Sequence, residues 1–356
     1  MKKTLFTVFI ILLLPLLFQA YPLQILKLQT FDTFVKEYDP SGNFAILNIT
    51  QEDIFKSGGW PFPRQELAQI HVDLLNAGAI GVGWVISFPQ PDRFGGDDVF
   101  LEALSYSPSV LAMFEYDNGV YPPTSGTVLL GQNISGIMAK GVVTNSHDYL
   151  QIPQGLSSAP SEVDNLVRRM PLLMQTPDGL GRKWISWVKT PETTLDEMNV
   201  DGKFVFVSVD APGVMPQVAT PVGLLGPHKV QAALAESILI QDSPKIPDWA
   251  LAAEILIFAI FVLTVSLVCA YLSMTKALAF GVFFMAVTGV LGVFSIKNGI
   301  LLDFSWTLVS EFIIGSIIFY LRFRKEYKLR QQIKKQFEHY LDPRQVKELQ
   351  KNPDLL

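Results

Sequence analysis

Two acids directly after a glycine pair, Gly95-Gly96-Asp97-Asp98, come closest in this sequence to a metal site. Paired carboxylates suit hard cations, but two acids at the start of a helix also complement its positive end. The apolar periodicity that follows predicts a helix over 97–105, so the second reading is preferred. The four histidines, His71, His147, His228 and His339, lack metal-ligand spacing and are expected at surface or capping positions. A single cysteine, Cys269, excludes an internal disulfide or a cysteine cluster. Neither Gly58-Gly59 nor Gly95-Gly96 precedes a Lys-Ser/Thr at Walker spacing, and Gly-x-Ser-x-Gly is absent. No catalytic residue and no metal ligand is therefore predicted. Glu311 occupies the costliest position, about 16 Å into an apolar run of about 33 Å. A helix contact explains it more simply than a proton or ion relay, because the other nearby acids, Glu254 and Asp303, fall near the ends of their runs.

The elements that must position these residues follow from composition. The chain has 356 residues, 49% hydrophobic and 17% charged, with a mean hydropathy of +0.30, against about 25% charged in an ordinary soluble domain. A net charge of -5 removes the electrostatic reason to expect a nucleic-acid partner. The apolar excess lies at the two ends. Lys2 and Lys3 precede an uncharged run from Leu5 to Phe18, and the one candidate cleavage site, Phe18-Gln19-Ala20, has a bulky residue at -3. An uncleaved anchor over 1–28, extended through Leu26, is expected. Three further runs, 251–272, 277–296 and 300–321, are each long enough to cross a bilayer at about 1.5 Å per residue. Arg322, Arg324, Lys325, Lys328 and Arg330 follow and mark that end as cytoplasmic. Counting back through the spans leaves 29–248 outside and returns the N-terminus inside.

The outer region is long enough for one substantial core. Strands are predicted over 44–49, 79–87, 110–115, 141–144, 167–173, 183–188 and 204–209. Helices are predicted over 63–77, 97–105 and 228–240, the first opening on Pro63 and closed by Gly78. This alternation predicts an α/β domain with a mostly parallel sheet flanked by helices. Its ligand crevice would lie beyond the carboxyl ends of the strands, near 48–53 and 87–92. Trp60, Arg64, Asp97 and Arg168 are the candidate ligand-binding residues for a small-molecule or ion cue; packing of Trp60 and local ion pairs for the two arginines are the simpler alternatives.

Several stretches resemble the type 2 CHASE sensory domain: Gly59-Trp60-Pro61-Phe62-Pro63-Arg64, Ala77-Gly78-Ala79-Ile80-Gly81-Val82-Gly83, Pro91-Asp92-Arg93 followed by Asp97, and Asp164 through Leu172. They continue with 202–209 and Ala219-Thr220-Pro221-Val222-Gly223. The resemblance implies an extracytoplasmic input module in the bacterial inner membrane, with one N-terminal span and three after the sensor. Phe337-Glu338-His339-Tyr340-Leu341-Asp342-Pro343, in the basic linker of 322–356, resembles the transducing helix before a class III nucleotide cyclase domain. It implies a signal-transmission role for Arg324, Phe337, Tyr340, Leu341 and Pro343, a homodimer, and an adenylate or guanylate cyclase output. The chain stops before such a domain, so no enzyme activity is expected of it. Mg and ATP would belong to that missing domain alone, and no cofactor is expected here. The basic segment beside the last span would also touch anionic membrane lipid. A stand-alone membrane interaction or regulatory protein, a degenerate receptor without output, and a small transporter using Glu311 are the competing readings.

Overall fold

The computed structural model describes residues 2–120, 141–157, 159–173, 180–241 and 243–338. In chain order they form α1 (Lys2–Leu17), α2 (Tyr21–Phe34), β1 (Phe44–Thr50), α3 (Gln51–Lys56), α4 (Arg64–Asn76), β2 (Gly81–Trp84), α5 (Asp97–Ser105) and β3 (Ser109–Val120). Next come β4 (Val142–Val143), a 3-10 turn (His147–Tyr149), β5 (Gln154–Leu156), β6 (Arg169–Leu173), β7 (Leu180–Trp184), β8 (Glu192–Thr194) and β9 (Phe204–Asp210). The chain continues with β10 (Val218–Thr220), β11 (Gly223–Leu225), α6 (Pro227–Ile240), α7 (Ala250–Tyr271), α8 (Met274–Lys297) and α9 (Ser305–Glu338). Two units result: Val35–Lys245, and Met1–Phe34 together with Ile246–Leu356.

In the first unit the main sheet runs β4-β3-β2-β9-β1-β8, with β5 also alongside β3. All its pairs are parallel except β3 with β4. The central strands β1 and β9 pair from Phe44 opposite Phe204 to Thr50 opposite Asp210. Their apolar runs suit strands covered on both faces, and Ala45, Leu47, Ile49, Val205, Val207 and Val209 are all buried. The Gly81-x-Gly83 spacing in β2 has a packing cause. A Cβ on Gly81 would stand 2.8 Å from the Phe204 ring, and one on Gly83 would stand 3.1 Å from it. The absent side chains make room for that ring. Helix α4 buries Leu67, Ala68, His71 and Leu74 along one face.

The segments expected as strands over 167–173 and 183–188 do not extend this sheet. The first contains β6; the second meets β7 only at 183–184 and is not a strand over 185–188, and β6 and β7 make a separate antiparallel ribbon with Leu173 opposite Leu180. The residues between them are too few for the dozen or more that a parallel crossover needs.

In the second unit, α7, α8 and residues 305–333 of α9 are long and apolar enough to cross a membrane. The segment expected as the N-terminal anchor forms α1 and α2, which together are apolar enough for a broken span or a re-entrant loop and are bent by 71°. Pro15 withholds a helical N–H, and Gln19 is left-handed at φ 48°. The Gln19 amide donates to Leu16 O at 3.0 Å and the Gln24 amide to Gln19 O at 2.6 Å. These bonds satisfy carbonyls that a straight helix would have used.

The last span also starts later than expected, at Ser305. Asp303 Oδ1 accepts from Ser305 N at 2.9 Å and from Ser305 Oγ at 2.6 Å, holding 300–304 out of the helix. A Cβ on Gly292 would overlap the Phe304 ring, so that glycine admits the turn against α8. From Ser305, α9 runs unbroken for 34 residues, about 51 Å at 1.5 Å per residue.

Candidate functional site

Parallel strands all release their chain at the same sheet edge, where ligand crevices form. Beyond the ends of β2 and β9, and beside Phe114 of β3, lies a cavity of about 420 Å³. Trp60 and Phe62 come from the segment before α4 and Arg64 from its first residue, Phe88 and Asp92 from the segment after β2, and Met215 from the segment after β9. The Trp60–Pro61 peptide is cis, and the Trp60 and Phe62 rings lie 5.3 Å apart. The expected 87–92 stretch lines this cavity, whereas 48–53 is engaged elsewhere. Thr50 and Asp53 close a capping box at α3, and Asn48 bonds Glu192 at 2.7 Å and the His228 ring at 2.8 Å.

Arg64 is the first residue of α4, and its side chain is only 9% exposed. Its guanidinium lies 4.5 Å from the Phe88 ring centroid, and Nε stands 3.6 Å from Asp97 Oδ1. No acceptor among the described residues reaches that Nε. Both Asp97 oxygens are already engaged, Oδ1 by Tyr149 Oη at 2.5 Å and Oδ2 by Asp92 N at 2.6 Å. Asp92 Oδ2 accepts in turn from Arg64 N at 3.0 Å and Gly96 N at 3.1 Å. Burial raises the Asp92 pKa, but these backbone donors and the Arg64 charge outweigh it and hold the carboxyl below its ordinary value. Burial and the bond to Asp97 push the Tyr149 hydroxyl up, so it remains a donor.

Beneath the cavity, Trp84, Phe88, Phe100 and Tyr149 pack ring against ring at 5.3–6.5 Å. Trp84 Nε1 donates to His71 Nδ1 at 3.3 Å. His71 and His228 are fully buried, which corrects the expectation of surface or capping roles for them. Each replaces an apolar core position with a ring that a neighbour can hydrogen-bond. Burial lowers both to about 4, so both are neutral near pH 7.

Of the four candidate ligand residues, Trp60 and Arg64 line the cavity, Asp97 stands 3.6 Å from Arg64 Nε without lining it, and Arg168 lies apart. Arg168 is 1% exposed and donates through both terminal nitrogens to Asp164, each at 2.7 Å. Asp97 does open α5, as the dipole argument requires, and no group of metal-ligating side chains occurs among the described residues. Phe88, Asp92, Tyr149 and Met215 were not among the candidates. The Pro91-Asp92 turn ahead of Asp97 is the one local signal that could have pointed to Asp92.

In the membrane-type unit Glu311 is 1% exposed and accepts from Thr288 Oγ1 at 2.9 Å, a contact between α8 and α9. Lys27 Nζ and Asp303 N both donate to Glu254 Oε1, at 2.7 and 2.9 Å. Arg322 donates to Cys269 O and Leu272 O at 2.7 and 2.6 Å, satisfying terminal carbonyls of α7. Arg324 is exposed on α9, and Phe337 lies near the end of that helix. Tyr340, Leu341 and Pro343 lie outside the described residues.

No curated protein and no solved structure matches this chain. The profile of the CHASE2 domain, an extracellular sensory module, matches residues 6–195, more than half of the chain, and the protein belongs to that family.

Proposed function

We propose that this protein is the sensing and membrane part of a homodimeric receptor that controls cyclic-nucleotide synthesis by a class III cyclase output. In this reading the unit over 35–245 faces outward, both termini are cytoplasmic, and the basic stretch after Leu321 lies against anionic lipid. A cue in the cavity shifts the unit between two states, which requires different affinity for each. The continuity of α9 carries the reading. Its start is held by Asp303, itself tied through Glu254 to Lys27, and its far part is tied to α7 by Arg322. A rotation or shift imposed at the first end therefore reaches Arg324 without crossing a loop.

The test is the full chain fused at its C-terminus to a class III cyclase catalytic domain. One to four alanines are inserted after Lys328, turning the downstream helix by about 100° each. Cyclic AMP output is expected to change with helical phase and to recover with a seven-residue insertion. Output independent of phase would overturn the proposal.

A further inference from the structure

We infer that the cavity beyond β2, β3 and β9 binds a small organic carboxylate with an apolar body, its carboxylate received by Arg64. The inference rests on the reading of this unit as a ligand sensor and gives its cue a chemical class.

The volume, about 420 Å³, falls within the range of small-molecule sites. Trp60, Phe88 and Met215 among its walls suit an aromatic or branched aliphatic group. The polar end is set by Arg64. A guanidinium has five donors in a rigid fork and is matched best by two oxygens of one carboxylate. Its neighbouring acids balance its charge without filling that fork. Asp97 is 3.6 Å from Nε, with both oxygens committed to Tyr149 and Asp92 N, and Asp92 Oδ2 is committed to two backbone donors.

The buried Nε of Arg64 has no hydrogen-bond partner among the described residues, which costs stability, and a carboxylate drawn to this guanidinium offsets part of that cost within a largely apolar cleft. Arg93 lines the same cavity and adds a second positive charge. With Asp92 and Asp97 beside these guanidinia the local charge is close to balanced, so the preference for a carboxylate over an amine or a metal ion rests on the donors of the Arg64 fork. A neutral amide has only one oxygen for the fork and would leave it half matched.

The experiment uses the full chain in lipid nanodiscs, with benzoate and phenylacetate as probes and benzamide and phenylacetamide as neutral controls. Both acids are expected to raise the melting temperature saturably, and the amides to leave it unchanged. Arg64→Gln should weaken acid binding roughly tenfold or more, as removal of a buried charge partner does. Because that variant removes a buried group, Met215→Trp serves as the second. It fills the cavity from a half-buried wall and should weaken binding to the same degree without lowering the melting temperature of the free protein.

Equal response to acids and amides, no saturable response to either acid, or wild-type affinity in both variants would overturn the inference. The cyclase fusion keeps the two proposals apart. Phase-dependent output without acid binding rejects the ligand class alone, and acid binding with phase-independent output rejects the receptor reading alone.

Discussion

Among the described residues of the sensory unit two arginines are buried, Arg64 and Arg168, each beside an aspartate, and their pairing differs. Arg168 spends two bonds of 2.7 Å on Asp164, and next to it Arg169 makes a second fork on Glu162 at 2.6 and 2.7 Å. The backbone carbonyl of Arg168 also receives Ile185 N at 3.0 Å, so that the paired charges pin a loop to the core around Val167, Met170 and Ile185. Arg64, by contrast, stands 3.6 Å from an aspartate whose oxygens serve other donors, and it borders a cavity. Burial of a charge does not separate a framework from a site. The degree to which the guanidinium fork is filled by its own chain does.

The largest expected effect breaks the filled fork. Arg168→Ala leaves Asp164 without its two strongest donors and should cost about 3–5 kcal/mol, read as a fall in melting temperature of the full chain. Arg64→Ala should cost about 1–2 kcal/mol, because it forfeits a cation–π contact while Asp97 keeps Tyr149 and Asp92 N. Equal losses would remove the distinction between the two regions.

Mild acid should separate the regions again. The hydrogen bond to Arg168 outweighs burial and holds Asp164 below the ordinary carboxylate value. A depressed acid contributes stability that is complete above its unfolded pKa, about 3.9, and is lost as pH falls through the lower folded value. Below the cavity, His71 is lowered to about 4 by burial. The folded protein refuses its proton between about 6.5 and 4, so that stability is complete above about 6.5 and declines as pH falls. From pH 7 to 5 this loss amounts to roughly 2 kcal/mol. His71→Gln should flatten the dependence of melting on pH in that window, though not fully, since His228 behaves alike. Asp164→Asn should lower the melting temperature without altering that slope.

The contrast also explains how much could be read in advance. The strand at Phe44–Thr50 and the helix at Asp97–Ser105 are legible because continuous or periodic apolar residues and local capping decide them. The 71° bend between α1 and α2 is not, because the same apolar composition suits one span or two helices until Gln19 and Gln24 take up the free carbonyls. Likewise 300–304 reads as helix by hydropathy, and only the capping bonds of Asp303 and the room left by Gly292 make it a turn. Of the site, Trp60 and Arg64 are legible from the Gly-Trp-Pro-Phe-Pro-Arg stretch. Tyr149 is not, since its bond to Asp97 joins positions 52 residues apart. Arg64 and Arg168 look alike in sequence, each with acids nearby; only distances of 3.6 and 2.7 Å tell them apart.

The smallest stability effect belongs to the cavity wall. Trp60 is half-buried and packs on Phe62 with its ring tilted by 60°. Trp60→Phe keeps an aromatic face there and should change stability by no more than about 0.5 kcal/mol. Shortening the ring alters the surface offered to the ligand body, so phenylacetate affinity should fall by about two- to fivefold, as for loss of a partial apolar contact. Arg168→Lys should do the reverse. A lysine cannot reproduce two parallel bonds to Asp164, so it should lower melting temperature while the affinity of the surviving folded protein is unchanged. Should Trp60→Phe destabilise the protein more than Arg168→Lys, the cavity wall would be framework as well, and the division drawn from the two arginines would fail.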